Sequence, residues 1–334
     1  IDNNDQDSLD DSYIGRTPIN ETITFDNITI QNYGNLETGS STNITYTTLD
    51  WSTRGTITDL GGTFNLLSGG GALTVPVTAR LYAYTTRTNS SCTIDGYMKT
   101  RQAITTAGDF SIGTTGTLTN EANTTTQQYI IDITAANLTI ASGGAINVND
   151  KGYQQTEGPG AGVDITGGAG HGGDGGDGTV GDGGLAYGSI TQPVTIGSGG
   201  GKNGGYTSGA GGGAVKLTIS GTTTLSGNIT ANGQNSPARG GGGSGGSVYI
   251  TTGTFSGSGS ILVNGGNGNT TAYGGGGGGR IAVHYTTDSS TVSYQAYGGF
   301  EGAAATYRMG GAGTIYTKAA AAVNGDLTID NNDQ

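Results

Sequence analysis

The sequence has 334 residues, of which 69 are Gly, only 32% hydrophobic and 11% charged, so it lacks the apolar side chains for a large conventional globular core at about 25 cal/mol per Å² buried. The glycines follow no G-X-Y period, which excludes collagen. The net charge of −12 and 13 scattered Lys and Arg leave no footprint for nucleic acid or an anionic membrane, and no apolar run approaches the roughly 18 residues of a membrane helix.

Residues 1–125 are rich in Thr and poorer in Gly, with short alternating runs at Ile23–Phe25, Ile28–Ile30, Phe64–Leu66, Leu73–Val75 and Leu81–Tyr84. Such alternation is the strand signal, and no helical 3.6 period of useful length occurs anywhere. These runs do not phase onto one interval. The segment is therefore either a less regular part of one solenoid, which we prefer, or a separate β-domain. Cys92 has no second cysteine to pair with and reads as a small buried hydrophobe. Ile1 opens the sequence in place of Met, so the sequence is expected to be a segment of something longer.

Residues 126–334 form the second region. Strands are expected at Tyr129–Ile133, Leu138–Ile140 and Ile146–Val148, followed by a Gly-rich stretch over 152–209 broken by Leu185–Tyr187 and Val194–Ile196. That stretch is long for a loop inside a compact domain and is expected to pack as extended glycine strands on one face.

Beyond it a period emerges. Val215-Lys216-Leu217, Val248-Tyr249-Ile250, Ile281-Ala282-Val283 and Ile315-Tyr316-Thr317 follow one another at a nearly constant interval. Each comes after a glycine cluster, at 211–213, 240–246, 274–279 and 310–313. A second series, Ile229-Thr230-Ala231, Ile261-Leu262-Val263, Tyr294-Gln295-Ala296 and Leu327-Thr328-Ile329, keeps the same step. Two strand segments and one glycine cluster recurring together predict an all-β fold, a parallel β-helix (β-solenoid) with glycine-rich loops and a coil of about 33 residues. The glycines are expected to turn through positive φ and to let neighbouring backbones approach closely. Asn232-Gly233 and Asn264-Gly265 read as coil corners.

Residues 1–6 and 329–334 both read Ile-Asp-Asn-Asn-Asp-Gln, which suggests a larger repeat of 328 residues. An assembly junction is therefore expected at Ile1, Asp2, Asn3 and Asn4 and at Leu327, Ile329, Asp330, Asn331 and Asn332. Open solenoid ends present unpaired backbone groups, and no cap is evident. Head-to-tail continuation, covalent or between subunits, would give a filament and not a ring.

Leu138-Thr139-Ile140 through Ile146-Asn147-Val148-Asn149, then Lys151-Gly152-Tyr153 and a His-containing glycine tract, resemble very large glycine-rich tandem-repeat surface proteins of environmental microbes. So do the glycine runs leading into Val248-Tyr249-Ile250, Ile281-Ala282-Val283 and Thr314-Ile315-Tyr316. The resemblance covers about 135–334. It implies a pectin-lyase-like β-helix in a secreted or cell-surface protein, and no chemistry.

Candidate sites are few. Gly172–Val180 outlines the calcium nonapeptide G-G-x-G-x-D-x-U-x, and Asp174, Asp177 and Asp182 could supply oxygen ligands. Thr179 stands where a large apolar residue belongs, however, and there is one copy, so a solvated acidic loop is the plainer reading. His171 and His284 offer no metal spacing and no Ser-His-Asp arrangement, and Arg280 is the only basic residue near the repeated glycine face. Sequons start at Asn20, Asn27, Asn43, Asn89, Asn123, Asn137, Asn228 and Asn269, so glycans are candidate partners. Thr-x-Thr strings do not recur in register, which argues against an ice-binding face. The sequence thus reads as a non-enzymatic structural unit of an extracellular filament or stalk, with no cofactor beyond candidate calcium. An adhesin or carbohydrate-binding β-helix is the alternative, and a polysaccharide-acting enzyme the third reading.

Overall fold

The computed structural model describes residues 16–39, 43–59, 63–64, 72–84, 87–202, 204–301 and 308–332. These form an all-β molecule, with no helix among the described residues. Two long sheets carry it, one of ten strands and one of twelve, beside a three-stranded sheet of Ile23–Gln31, Asn43–Thr53 and Thr63–Phe64. Every pairing between named strands is parallel except the last, between Thr314–Ala319 and Asp326–Thr328.

In the ten-stranded sheet one register column runs Leu36, Ile57, Leu81, Met98, Leu118, Ile146, Ile229, Ile261 and Tyr294. All but Tyr294 are fully buried. Alternation along each strand sends one residue in two toward the core, so parallel in-register pairing stacks like on like. The twelve-stranded sheet does the same with Ile131, Val215, Val248, Ile281 and Ile315. Inward residues of both sheets join one hydrophobic cluster.

The interval between paired strands explains why the first region resists phasing. Thr17 pairs with Leu36, Leu36 with Ile57, Arg80 with Tyr97 and Tyr97 with Thr117, so the step there is short and uneven. It lengthens from Thr117 to Ala145, and from Ala145 to Asn228 it takes in the whole glycine-rich stretch. Only then does it settle, from Asn228 to Ser260 and from Ser260 to Ser293. Both sheets continue without a break across residues 125 and 126.

The extra residues of the later intervals are glycine segments that belong to no sheet. Gly242 and Gly245 donate to the carbonyls of Gly274 and Gly277, Gly243 and Gly246 to Gln234 and Ala231, and Gly241 and Ser244 to Gly201 and Ser198. Residues 274–279 behave alike: Gly274 and Gly277 donate to Thr166 and Ala169, Gly275 and Gly278 to Arg308 and Gly311, Gly276 and Gly279 to Gly266 and Val263, all at 2.7–2.9 Å. Successive N–H groups thus address three neighbours in rotation, the three-residue repeat of a polyproline-II-type helix. Residues 152–213 supply several of the partners. This is the expected packing of extended glycine strands, and Leu185–Tyr187 and Val194–Ile196 form no strand within it.

The positive-φ expectation is corrected for these runs. No residue of 274–279 lies in the left-handed region. What requires Gly is contact: a Cβ on Gly276 would overlap the carbonyl oxygen of Gly243, and one on Gly278 that of Ala296. Gly276→Ala is therefore expected to destabilise the protein by about 3 kcal/mol or more. Gly205→Ala, with nothing within 4 Å of the new methyl, is expected to stay within about 0.5 kcal/mol of wild type. Urea unfolding of the two variants checks both.

Candidate assembly interface

The C-terminal end of the sheets carries the described part of the expected junction. After Thr314–Ala319 the chain turns at Ala319–Ala322, where the Ala322 N–H donates to the Ala319 carbonyl at 3.0 Å, and returns as Asp326–Thr328. Ile315 faces Thr328, Tyr316 faces Leu327 and Thr317 faces Asp326, all antiparallel. This corrects the expected phasing, in which Leu327-Thr328-Ile329 continued the parallel series beyond Tyr294. The physical reason is local. The connection is short and closes at little entropic cost. It also corrects the absence of a cap, because the hairpin covers the outer edge of Thr314–Ala319. Leu327 and Ile329 are left 50% and 65% exposed.

Asn331 anchors the return. Its Oδ1 accepts from the Gly298 N–H at 2.7 Å and its Nδ2 donates to the Gly310 carbonyl at 3.2 Å. Asp330 Oδ1 accepts from the Asn332 N–H at 2.8 Å. Ile1, Asp2, Asn3 and Asn4 lie outside the described residues, as do Asp333 and Gln334. At the other end, Thr17–Ile19 is the last strand of the ten-stranded sheet and Ile23–Gln31 the outer strand of the three-stranded one.

Asparagine side chains tie successive levels together, a role hidden in sequence because Asn-Gly read only as a corner. Asn149 Oδ1 accepts from Asn232 N, Asn232 Oδ1 from Asn264 N and Asn264 Oδ1 from Tyr297 N, at 2.7, 2.7 and 2.9 Å. Asn235 and Asn267 make a second ladder ending on Phe300 N. The regular interval from Asn232 to Asn264, repeated from Asn235 to Asn267, was the available signal.

His171 is fully buried, with Nδ1 2.8 Å from the Gly245 carbonyl and Nε2 2.8 Å from Thr195 Oγ1. A carbonyl only accepts, so Nδ1 carries the proton and Nε2 accepts from the threonine hydroxyl. The ring packs on Tyr187, whose carbonyl accepts from Arg280 Nε at 2.8 Å, and Arg280 Nη1 reaches Thr314 Oγ1. Burial, with the Arg280 charge adding to it, pushes the imidazole down to about 3. Both ring nitrogens are committed, and the cluster fastens residues 171–195 to the glycine segments. His284 sits between Tyr249 and Tyr316 and bonds the Thr191 carbonyl.

The acidic loop does not converge. Asp174 Oδ1 accepts from Ala186 N and Asp177 Oδ1 from Gly183 N, and among the described residues no three His, Cys, Asp or Glu side chains, Asp182 included, group to hold a metal ion. Of the sequons, Asn20, Asn27, Asn137, Asn228 and Asn269 are exposed and Asn89 is half-buried, while Asn43 begins a strand. Asn123 is 4% exposed. Its Nδ2 donates to the Tyr129 and Lys151 carbonyls and its Oδ1 accepts from Gln128 N and Tyr129 N, so this side chain is a structural clamp with no room for a glycan.

Single threonines, not Thr-x-Thr strings, stand in register: Thr105, Thr134, Thr218 and Thr251 share one column. The last three line a groove of about 460 Å³ with Thr106, Ser220, Thr252, Thr286 and small apolar residues, and no charged side chain. No helix among the described residues is long and apolar enough to cross a membrane. No protein-family model matches the chain, and no curated protein or solved structure matches it.

The His171 cluster gives a pH test. An imidazole depressed from 6.5 to about 3 contributes fully above pH 6.5, and its contribution is lost as pH falls toward 3, because only the unfolded chain takes up the proton in that window. Wild type is expected to lose about 1.6 kcal/mol more than His171→Gln between pH 6.5 and 5, the slope rising toward about 1.4 kcal/mol per pH unit. Urea titrations at the two pH values measure the difference.

Proposed function

We propose that this chain is a structural unit of an extracellular filament or stalk, winding as a β-solenoid and growing head to tail by addition of strands at its two ends. One observation carries the reading. The ten-stranded sheet advances one strand per level from Thr17–Ile19 to Ser293–Gln295, every pairing is parallel, and both terminal strands have no further partner on the stacking axis among the described residues. A parallel stack whose two ends have the same direction is heterologous, so end-to-end contact generates an open filament. The identical hexapeptides at 1–6 and 329–334 add a sequence match between the two ends. The charge of −12 keeps such units apart laterally, and the exposed sequons suit an extracellular surface.

The reading needs no catalytic step. His171, the most perturbed base, has both nitrogens engaged and no access to solvent. Calcium would be an accessory at the acidic loop, whose Asp174 and Asp177 already serve backbone N–H groups. The resemblance to large glycine-rich surface proteins points the same way. A second reading, a carbohydrate-binding adhesin, is favoured by the threonine-lined groove, whose hydroxyls suit a neutral glycan.

Sedimentation velocity and negative-stain microscopy over rising concentration decide between them. Open-ended particles that lengthen with concentration are expected. A monomer at every concentration, or a closed oligomer of fixed size, would contradict the filament, and a monomer retained on a neutral glycan would support the adhesin.

A further inference from the structure

The second series of strands sends an i, i+2 pair of side chains into the core at each level. Ile229 with Ala231 and Ile261 with Val263 are fully buried, and Ala296 is 1% exposed beside a partly buried Tyr294. One further step of the same interval reaches Leu327 and Ile329, apolar and in the same parity. They are 50% and 65% exposed because their segment lies antiparallel on Thr314–Ala319. That pairing joins only Ile315 to Thr328, Tyr316 to Leu327 and Thr317 to Asp326. Asn331, just beyond, already bonds Gly298, one full interval before it. The chain is therefore in step on the far side of the hairpin and out of step within it.

We infer that Asp326–Ile329 is an exchangeable strand that caps the free chain and is handed over on assembly, an inference that rests on the filament reading. In the free chain it covers the edge of Thr314–Ala319. In the assembly it lies parallel on Ser293–Gln295, where Leu327 and Ile329 enter the core beside Tyr294 and Ala296. The vacated edge of Thr314–Ala319 then accepts a second copy of this chain. Sheet must continue into sheet, so the incoming Thr17–Ile19, the end of the ten-stranded sheet, follows the relocated strand. Ile23–Gln31, the outer strand of the three-stranded sheet, falls beside Thr314–Ala319. Edge protection and polymerisation then use the same residues, and the chain stays soluble until a partner end displaces its hairpin.

The test is to lock the hairpin. Tyr316 and Leu327 face each other directly, so Tyr316→Cys with Leu327→Cys can be joined by a disulfide. The reduced variant loses the Leu327 contact in the core, so it is expected to assemble more slowly than wild type and is the reference for the oxidised one. The oxidised variant should remain unassembled by sedimentation and microscopy, and reductant should restore assembly. Oxidised chains that assemble within about twofold of the reduced rate would overturn the exchange while leaving the filament intact. Wild-type chains that never assemble would overturn the filament reading and the exchange with it. Hydrogen exchange on wild type supplies a measurement independent of the variant. The Asp326–Ile329 amides should slow by about tenfold or more on assembly, and unchanged exchange in assembled material would sink the exchange.

Discussion

Backbone bonded to backbone at close range is the constraint from which the rest of this structure follows. With few large apolar side chains available, the chain satisfies its peptide groups against other peptide groups, first in parallel sheets and then in glycine segments with three-residue periodicity. The two modes need different side chains. Strands need an apolar residue at every second position to fill a narrow core. Polyproline-II-type segments surrounded by others on several sides leave no volume for a Cβ, as at Gly276 and Gly278. The low hydrophobic content and the abundance of glycine are thus two sides of one packing solution. Its cost is the conformational entropy of glycine, offset by a hydrogen bond for nearly every ordered amide in the runs.

Much of this was legible in the sequence where one interval repeats. The columns Val215–Val248–Ile281–Ile315 and Ile229–Ile261–Tyr294 are those that the regular period predicts. The first region was illegible for a physical reason. Its intervals wander, short from Arg80 to Tyr97 and long from Thr117 to Ala145, because connections without glycine segments vary in length while the paired strands stay in register. The glycine segments hid their partners for another reason. Gly274 bonds Thr166 and Gly275 bonds Arg308, contacts that no local pattern encodes.

The terminal hairpin shows the two kinds of signal in competition. Period favoured Leu327 beside Tyr294, whereas the short connection after Ala319 returns it onto Tyr316, and the local contact prevails in the single chain. Asn123 makes the complementary point about motifs. Its sequon was visible, but the four bonds that bury its amide depend on Tyr129 and Lys151 being brought to it by the fold. His171, which lies in a glycine-rich tract, clamps Gly245 and Thr195, partners that no sequence pattern names.

If strands add end to end, the assembled polymer must carry the strand spacing along its own axis. X-ray fibre diffraction from oriented assemblies measures this directly. A strong meridional reflection at about 4.7–4.9 Å is the result expected for strands stacked across the filament axis. Oriented fibres with that spacing on the equator, or with no such reflection, would contradict growth by strand addition.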